Sequence, residues 1–391
     1  MIFSDLSKLT LTKAVLFKDS PVYVQFYLTA RCNLTCNQCN IIYSNSDLEE
    51  CSIDSIKKIA DNFADMGVAI VLLTGGEPFL RKDINEIIYA FESRGIHVRM
   101  QTNGLANEEQ ISSAIEAGGR DISISLDSLN SADQDFINGG FPDSWFKAIK
   151  AISLFTKYLP KDKSFASLGC VLQPKNLHNI IDVIRFGTAI SWYTSLVPIH
   201  VTKRSIPRGF RTHDQSIGFK EKQFQLASNL IDQVSKMKED GYLLYDSDQY
   251  LDDIKKFIRG EPTSWRDNNK GVCDSPNLYF AVLPNGDYAP CCDHRFNSKI
   301  KVYDPDFPKV YKSKTFRKNN YNIVKSCEGC MYGSYPEMTI AMRFFMAKIQ
   351  RLKIFFSNPT DKSKWPIDSE EIKLIIEEIN LNKYSYAKKN Y

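Results

Sequence analysis

The amino-acid sequence predicts an α/β fold built on a parallel sheet. Three observations carry that prediction. Apolar runs of strand length alternate with amphipathic stretches of helix length, about six times over roughly the first 200 residues. Glycine, asparagine and proline punctuate the chain where runs end. Thiols and polar side chains collect just past the C-terminal ends of the runs, where parallel β/α sheets carry their chemistry.

The first apolar run is Val22–Leu28. A helix is expected over 53–66, with Ser52 as N-cap, Asp54 in the first turn, and Ile53, Ile56, Ile59 and Phe63 at helical spacing. Val68–Leu73 reads as a buried strand, followed by a helix over 82–94. The third strand is Val98–Thr102, closed by Asn103-Gly104. A helix over 107–117 leads to the strand Ile122–Leu126, and one over 142–157 to Ala166–Leu172. A last helix, 176–188, leads to Ser195–Ile199. A polar helical stretch over 218–258 reads as a bridge. Beyond it, Leu278–Leu283 and the turn Pro284-Asn285-Gly286-Asp287 read as a hairpin.

Directly after the first run comes Cys32-Asn33-Leu34-Thr35-Cys36-Asn37-Gln38-Cys39. Structural zinc wants four ligands, commonly two C-x2-C pairs or His partners. No His lies near this triad, since the five are His97, His178, His200, His213 and His294. Buried thiols or a zinc knuckle are the bland alternatives. Three thiolates on a [4Fe–4S] cluster leave one iron open for substrate or cofactor. After the second run comes Thr74-Gly75-Gly76-Glu77-Pro78. Two glycines allow close backbone approach to a ligand, and Glu77 adds a negative charge.

The C-x3-C-x2-C triad and the Gly-Gly-Glu-Pro loop, each following its strand, resemble the radical S-adenosylmethionine (radical SAM) enzymes. The resemblance implies a partial (β/α)6 TIM-like barrel, then a small α+β auxiliary-cluster domain and a helical C-terminal tail. It implies a [4Fe–4S] cluster with an open iron on Cys32, Cys36 and Cys39, and S-adenosyl-L-methionine as cofactor. Gly75, Gly76 and Glu77 would hold the ammonium of its methionine moiety. Asn103, Ser125, Asp127 and Asn176 are candidates for its ribose and carboxylate or for substrate, with a loop or cap role as the alternative for each. One departure is Gln38, where many family members have an aromatic that packs on the adenine.

Of the other cysteines, Cys51 and Cys170 read as buried structural thiols. Cys273, Cys291, Cys292, Cys327 and Cys330 lie in the C-terminal third. Their C-x12-G-x4-C spacing and later C-x2-C resemble the twitch form of the family's SPASM-type auxiliary domains. That implies a second [4Fe–4S] cluster on Cys273, Cys291, Cys327 and Cys330. Cys292 could replace Cys291, although the G-x4-C spacing favours Cys291, and a zinc ribbon stays open as an alternative. The domains expected are an N-terminal extension (1–20), the barrel (21–210), a helical bridge (211–265), the auxiliary-cluster domain (266–340) and the tail (341–391).

With 43% hydrophobic and 25% charged residues, the composition is that of an ordinary soluble protein of two domains. The net charge of +4 gives no reason to expect nucleic acid. No leader is expected from Met1–Leu6, and no run reaches membrane-spanning length. Cluster-ligating thiols imply a cytoplasmic location. The tail segment Met342–Phe356 reads as an amphipathic helix with Phe345, Ile349, Leu352 and Phe356 on one face and Arg343, Lys348, Arg351 and Lys353 elsewhere. Docking of that face on the barrel is expected, with membrane-surface contact the lesser alternative. A further helix should start at Ser369 as N-cap, with Glu370 and Glu371 in its first turn.

The expected activity is reductive cleavage of S-adenosylmethionine to a 5′-deoxyadenosyl radical, which takes hydrogen from a C–H bond of a small molecule. The auxiliary cluster would take up an electron, giving an oxidation or dehydrogenation. Asp293 is a candidate base, with a surface turn as its alternative role. A peptide-modifying maturase is the second reading, disfavoured because only about 20 residues precede the first strand, too few for a recognition domain. A non-catalytic iron–sulfur electron carrier is the third, disfavoured by the open iron. A donor such as flavodoxin or ferredoxin is the expected partner. Molybdopterin-pathway members of the family end in two glycines, whereas this chain ends Lys389-Asn390-Tyr391, which disfavours that function.

Overall fold

The computed structural model describes residues 20–39, 48–200, 215–266, 278–291, 300–325, 329–356 and 360–381, together with Leu9, Thr12, Lys13 and Cys273. Six parallel strands form the main sheet: β1 (Tyr23–Thr29), β2 (Ile70–Gly75), β3 (His97–Thr102), β4 (Asp121–Ser125), β5 (Phe165–Leu172) and β6 (Tyr193–Pro198). They pair in sequence order, as repeated right-handed β/α crossovers dictate. Helices α1 (Ile53–Met66), α2 (Ile84–Glu92), α3 (Glu108–Glu116), α4 (Ser131–Ile137), α5 (Ser144–Tyr158) and α6 (Ile180–Ala189) fill the connections. This is the partial TIM-like barrel expected. Only α4 was not foreseen.

Local chemistry sets the boundaries. Ser52 accepts a hydrogen bond from Ser55 N at 3.2 Å and caps α1, and Gly67 ends it in the left-handed region at φ 72°. Along β1, alternate side chains face opposite ways, as the two-residue strand period demands. Val24, Phe26 and Leu28 pack under the helices, where Phe26, Phe63 and Phe91 meet with ring centroids 5.8 and 6.4 Å apart. Tyr23 and Tyr27 face the barrel interior with Leu72, Phe165 and Tyr193.

The hairpin expected near Pro284-Asn285-Gly286-Asp287 is present as β7 (Tyr279–Val282) and β8 (Tyr288–Ala289). It does not form a sheet of its own. β7 pairs parallel with β1, Tyr23 opposite Tyr279, so the main sheet gains two strands on its β1 side. The polar bridge is two helices, α7 (Glu221–Glu239) and α8 (Asp248–Ile258). Helices α9 (Phe307–Lys312) and α10 (Lys314–Val324) follow the hairpin.

The tail differs from expectation in one respect. The predicted single helix is broken at Phe344 into α11 (Ser334–Arg343) and α12 (Phe345–Phe356). Phe344 has extended backbone, φ −116° and ψ 120°. Helix α13 (Ser369–Asn380) is capped by Asp368 rather than Ser369. The carboxylate accepts from Glu370 N and Glu371 N at 2.8 and 2.9 Å, and Glu371 returns a capping-box bond. Among the described residues, no helix is long and apolar enough to cross a membrane.

Candidate active site

The C-terminal ends of the strands surround a cavity of about 320 Å³. Cys32, Cys36 and Cys39 line it together with Gly75, Gly76, Asn103, Ser125, Asp127 and Cys170. From the sequence, Cys170 reads as a buried structural thiol. It is buried, and it also borders the cavity.

The cysteine loop is anchored at two points. At its start, Arg31 makes two bonds to Glu50 at 2.7 and 2.9 Å, and the buried Arg81 binds Asp83 at 2.6 Å and Cys51 O at 3.0 Å. At its middle, Asn37 N donates to Ile137 O at 2.9 Å and Asn37 Nδ2 to Phe136 O at 2.7 Å. The C-terminal end of helix α4 thus holds this loop. Gly139, just after it, has φ +89°, and a Cβ there would lie 2.3 Å from Thr35 Oγ1. The turn signal Asn138-Gly139-Gly140 was visible in the sequence, but its role depends on a contact distant in sequence.

The thiols suit a cluster. Among the described residues no three His, Cys, Asp or Glu side chains converge as a single metal ion requires. In a cubane cluster each thiolate binds its own iron, so such convergence is not needed. Burial pushes the Cys32 thiol up to about 11, and that of Cys36 higher still. A group held here as thiolate needs a cationic partner, which iron supplies. Asn103 Nδ2 lies 3.8 Å from Cys32 Sγ and Leu34 N lies 3.4 Å from it, so the sulfur already faces donors.

The Gly-Gly-Glu loop is packed tightly against its neighbours. A Cβ on Gly75 would stand 2.3 Å from Thr29 O, and one on Gly76 2.0 Å from Arg31 O. The glycines thus let the β2 end press against the β1 end, which brings the loop to the cavity edge. Glu77 is buried at 1% exposure. Its oxygens accept from Thr102 Oγ1 and Asn103 N at 2.8 Å each, and from Phe79 N at 3.0 Å. Burial raises its carboxyl to about 7 despite these donors. Here Glu77 ties the β2 loop to the β3 loop rather than opening into the cavity.

The strand-end candidates divide in two. Asn103 and Ser125 border the cavity. Asn103 Nδ2 also donates to Asn33 Oδ1 at 2.7 Å. Asp127 borders it too, but its oxygens accept from Val171 N at 2.6 Å and Gln38 Nε2 at 3.0 Å. Asn176 is fully buried and bridges loops: its Nδ2 donates to Asp127 O and Val171 O at 3.0 and 2.8 Å, and its Oδ1 accepts from Gln173 N at 2.9 Å.

The remaining wall comes from residues the sequence did not single out. Tyr245 and Asp246, from the bridge, enter beside β6, where Asp246 accepts from Ser195 Oγ at 2.8 Å and Leu196 N at 2.7 Å. Buried Arg99 lies 3.8 Å from Asp121 and under the Tyr245 ring at 5.0 Å. His200, at the end of β6, stacks on Tyr332 with centroids 3.6 Å apart and accepts from Met331 N at 3.1 Å. Tyr332, Gly333 and Glu337 all line the cavity. These contacts are long-range, and no local pattern announces them.

Of the C-terminal cysteines, Cys291 and Cys330 are buried in one apolar cluster with barrel-interior residues, while Cys273 packs on the main core. Cys292, Asp293 and Cys327 lie outside the described residues.

A β/α partial barrel with three thiols at its strand ends defines a class, and comparison with known proteins agrees. Residues 26–187 match the family model described as the radical SAM superfamily. A GTP 3′,8-cyclase of Actinobacillus pleuropneumoniae is 35% identical over 128 residues, 32% of this chain and 38% of that protein. An AdoMet-dependent heme synthase of Nitratidesulfovibrio vulgaris is 27% identical over 183 residues, 44% of this chain and 47% of that protein. The chain thus spans less than half the length of these relatives. In fold it is similar to Streptococcus suis SuiB bound to precursor peptide SuiA, with TM-score 0.60, 17% identity, and coverage of 89% of this chain and 78% of that one. It is also similar to anSMEcpe with bound AdoMet and a peptide, with TM-score 0.53, 15% identity, and coverage of 85% and 98%.

Proposed function

We propose that this chain is a radical SAM enzyme that removes hydrogen from a C–H bond of a small molecule held in the strand-end cavity. The observation that carries the reading is the shared cavity: the three thiols, the Gly75-Gly76 backbone, Asn103 and Ser125 all border it. Cys32, Cys36 and Cys39 would hold a [4Fe–4S] cluster, and the Gly75-Gly76 edge with Asn103 and Ser125 would bind S-adenosylmethionine. Bound there, these groups would supply the radical chemistry needed to take hydrogen from an unactivated C–H bond.

The protein's own part is positioning and exclusion of water. Glu77 and Asp127 fix the loops that carry Asn103 and Gln38. Tyr332 and Gly333 close the far side, where a substrate would lie. The chain enters that wall directly from Cys330, which supports an electron leaving the substrate towards a second cluster on Cys273, Cys291, Cys327 and Cys330. Loss of a hydrogen atom, a proton and that electron from the substrate would together amount to a two-electron dehydrogenation. The domain limits expected from the sequence and the electron donor of flavodoxin or ferredoxin type belong to the same proposal.

Two measurements test it. Reconstituted protein, reduced anaerobically with S-adenosylmethionine, should yield 5′-deoxyadenosine, and no yield sinks the enzyme reading. The variant Cys32→Ala/Cys36→Ala/Cys39→Ala should keep about four irons, those of one remaining cluster. Keeping none, or losing none, contradicts the two-cluster reading.

A further inference from the structure

Helix α12 docks on the protein by the face opposite to the one its sequence pattern would bury. Ala347 and Arg351 face inward, and Arg351 is fixed by Glu337 at 2.7 Å and by the Tyr245 ring at 3.9 Å. The stripe predicted to dock stands outward: Phe345 is 73% exposed, Leu352 39% and Phe356 48%, with Met346 beside them at 63%. At 100° per residue, Phe345, Ile349, Leu352 and Phe356 fall within one narrow stripe. Lys348 flanks the stripe on one side and Lys353 on the other. No acidic residue occurs from Met338 to Thr360.

Solvent-facing phenylalanines in line, bordered by lysines on both edges in a segment without acidic residues of its own, match an anionic lipid surface in both polarity and charge; the acidic groups that meet the helix, Glu337 at Arg351 and Asp248 at Gln350, do so away from the stripe. We propose that α12 is an interfacial helix that seats this protein on anionic phospholipid, with Phe345, Leu352 and Phe356 entering the headgroup–acyl boundary and Lys348 and Lys353 meeting lipid phosphates. Arg343 sits at the break before the helix, where its guanidinium is held by Trp265 O. Because α11 runs from the cavity wall at Gly333 to this break, the lipid surface would lie at the far end of the segment that closes the site. The proposal stands apart from the radical chemistry and does not need it.

The test is co-sedimentation of the full chain with vesicles of phosphatidylcholine alone, or of phosphatidylcholine with one-quarter phosphatidylglycerol. Binding is expected to the mixed vesicles, and weaker binding to the neutral ones or at high salt. Phe345→Glu/Phe356→Glu should weaken binding by about tenfold or more, the effect of losing one buried phenylalanine side chain. Lys348→Glu/Lys353→Glu should weaken it on the mixed vesicles only. Circular dichroism melts of both variants should match the parent, since neither pair packs in the core. No binding to either vesicle overturns the proposal, as does equal binding to both. If light scattering shows a dimer that Phe345→Glu/Phe356→Glu dissolves, a second copy covers the stripe and the lipid reading is overturned.

Discussion

Gln38 Nε2 donates to Asp127 Oδ2 across 3.0 Å, linking the cysteine loop to the end of β4. Gln38 occupies the position where an aromatic is common in the resembling family. Here the amide satisfies a carboxylate that is 2% exposed and whose other oxygen accepts from Val171 N. An aromatic would leave that oxygen buried and unpaired. Burial already raises Asp127 to about 7, with the Val171 and Gln38 bonds opposing it.

Replacing Gln38 should therefore expose the cost. Gln38→Leu is expected to destabilise the chain by about 1–3 kcal/mol, the range for orphaning a buried acceptor. Denaturant melts of Gln38→Leu, Asp127→Asn and the double variant would close a cycle. A coupling of about 0.5 kcal/mol or more is expected for groups in contact. Strict additivity would mean the two side chains do not act together.

A second prediction separates two glycines by what surrounds them. At Gly76 a Cβ would meet Arg31 backbone at 2.0 Å, whereas at Gly140 nothing lies within 4 Å. Gly140→Ala then carries only the strain of φ +78°, about 1 kcal/mol. Gly76→Ala must displace the β1 end and with it the cysteine loop, and a loss above about 3 kcal/mol is expected. Iron content after anaerobic reconstitution should fall in Gly76→Ala and hold in Gly140→Ala. Equal iron in both would show that the β1–β2 contact does not position the thiols.

What the sequence made legible was what repeats or lies close in the chain. The six strands follow from the alternation of apolar runs, and helix α1 begins and ends where Ser52 and Gly67 place it. The thiol triad was legible because its spacing is local. Contacts between distant segments were not. Nothing near Tyr332 signals that it meets His200, and nothing near Tyr279 signals that β7 pairs with β1. Asn176 shows a related limit: a polar residue after a strand reads alike whether it faces a ligand or caps a turn. The helix α12 pattern identified its apolar stripe correctly, but a period says which residues share a face and not what covers it.

The His200–Tyr332 junction offers a third test. His200 accepts from Met331 N, and burial lowers its imidazole to about 3, so the ring is neutral. His200→Phe keeps a ring to stack on Tyr332 but removes the acceptor. It should cost about 1–3 kcal/mol, the penalty of an unpaired buried N–H. His200→Gln restores an acceptor and should recover part of the loss in thermal melts. If His200→Gln is no better than His200→Phe, the stacking and not the hydrogen bond holds this wall.

Asp246 gives the stability a pH dependence of definite sign. Its carboxyl is raised to about 7, first by burial, against the bonds from Leu196 N and Ser195 Oγ. An unfolded aspartate titrates at about 3.9. A carboxyl whose folded value lies above its unfolded value favours folding fully below about pH 4, and this contribution is lost as pH rises through about 7. Glu77 and Asp127 are shifted the same way, so the three act together. The unfolding free energy of the cluster-free chain should carry a falling component between about pH 4 and pH 7 from these groups. Asp246→Asn removes one titrating group while keeping an acceptor for Ser195, so its slope over that window should be shallower than the parent's. Denaturant melts at intervals of half a pH unit would measure both slopes. Parallel slopes would mean that Asp246 keeps an ordinary carboxylate in the folded chain, and that its place beside β6 is wet rather than buried.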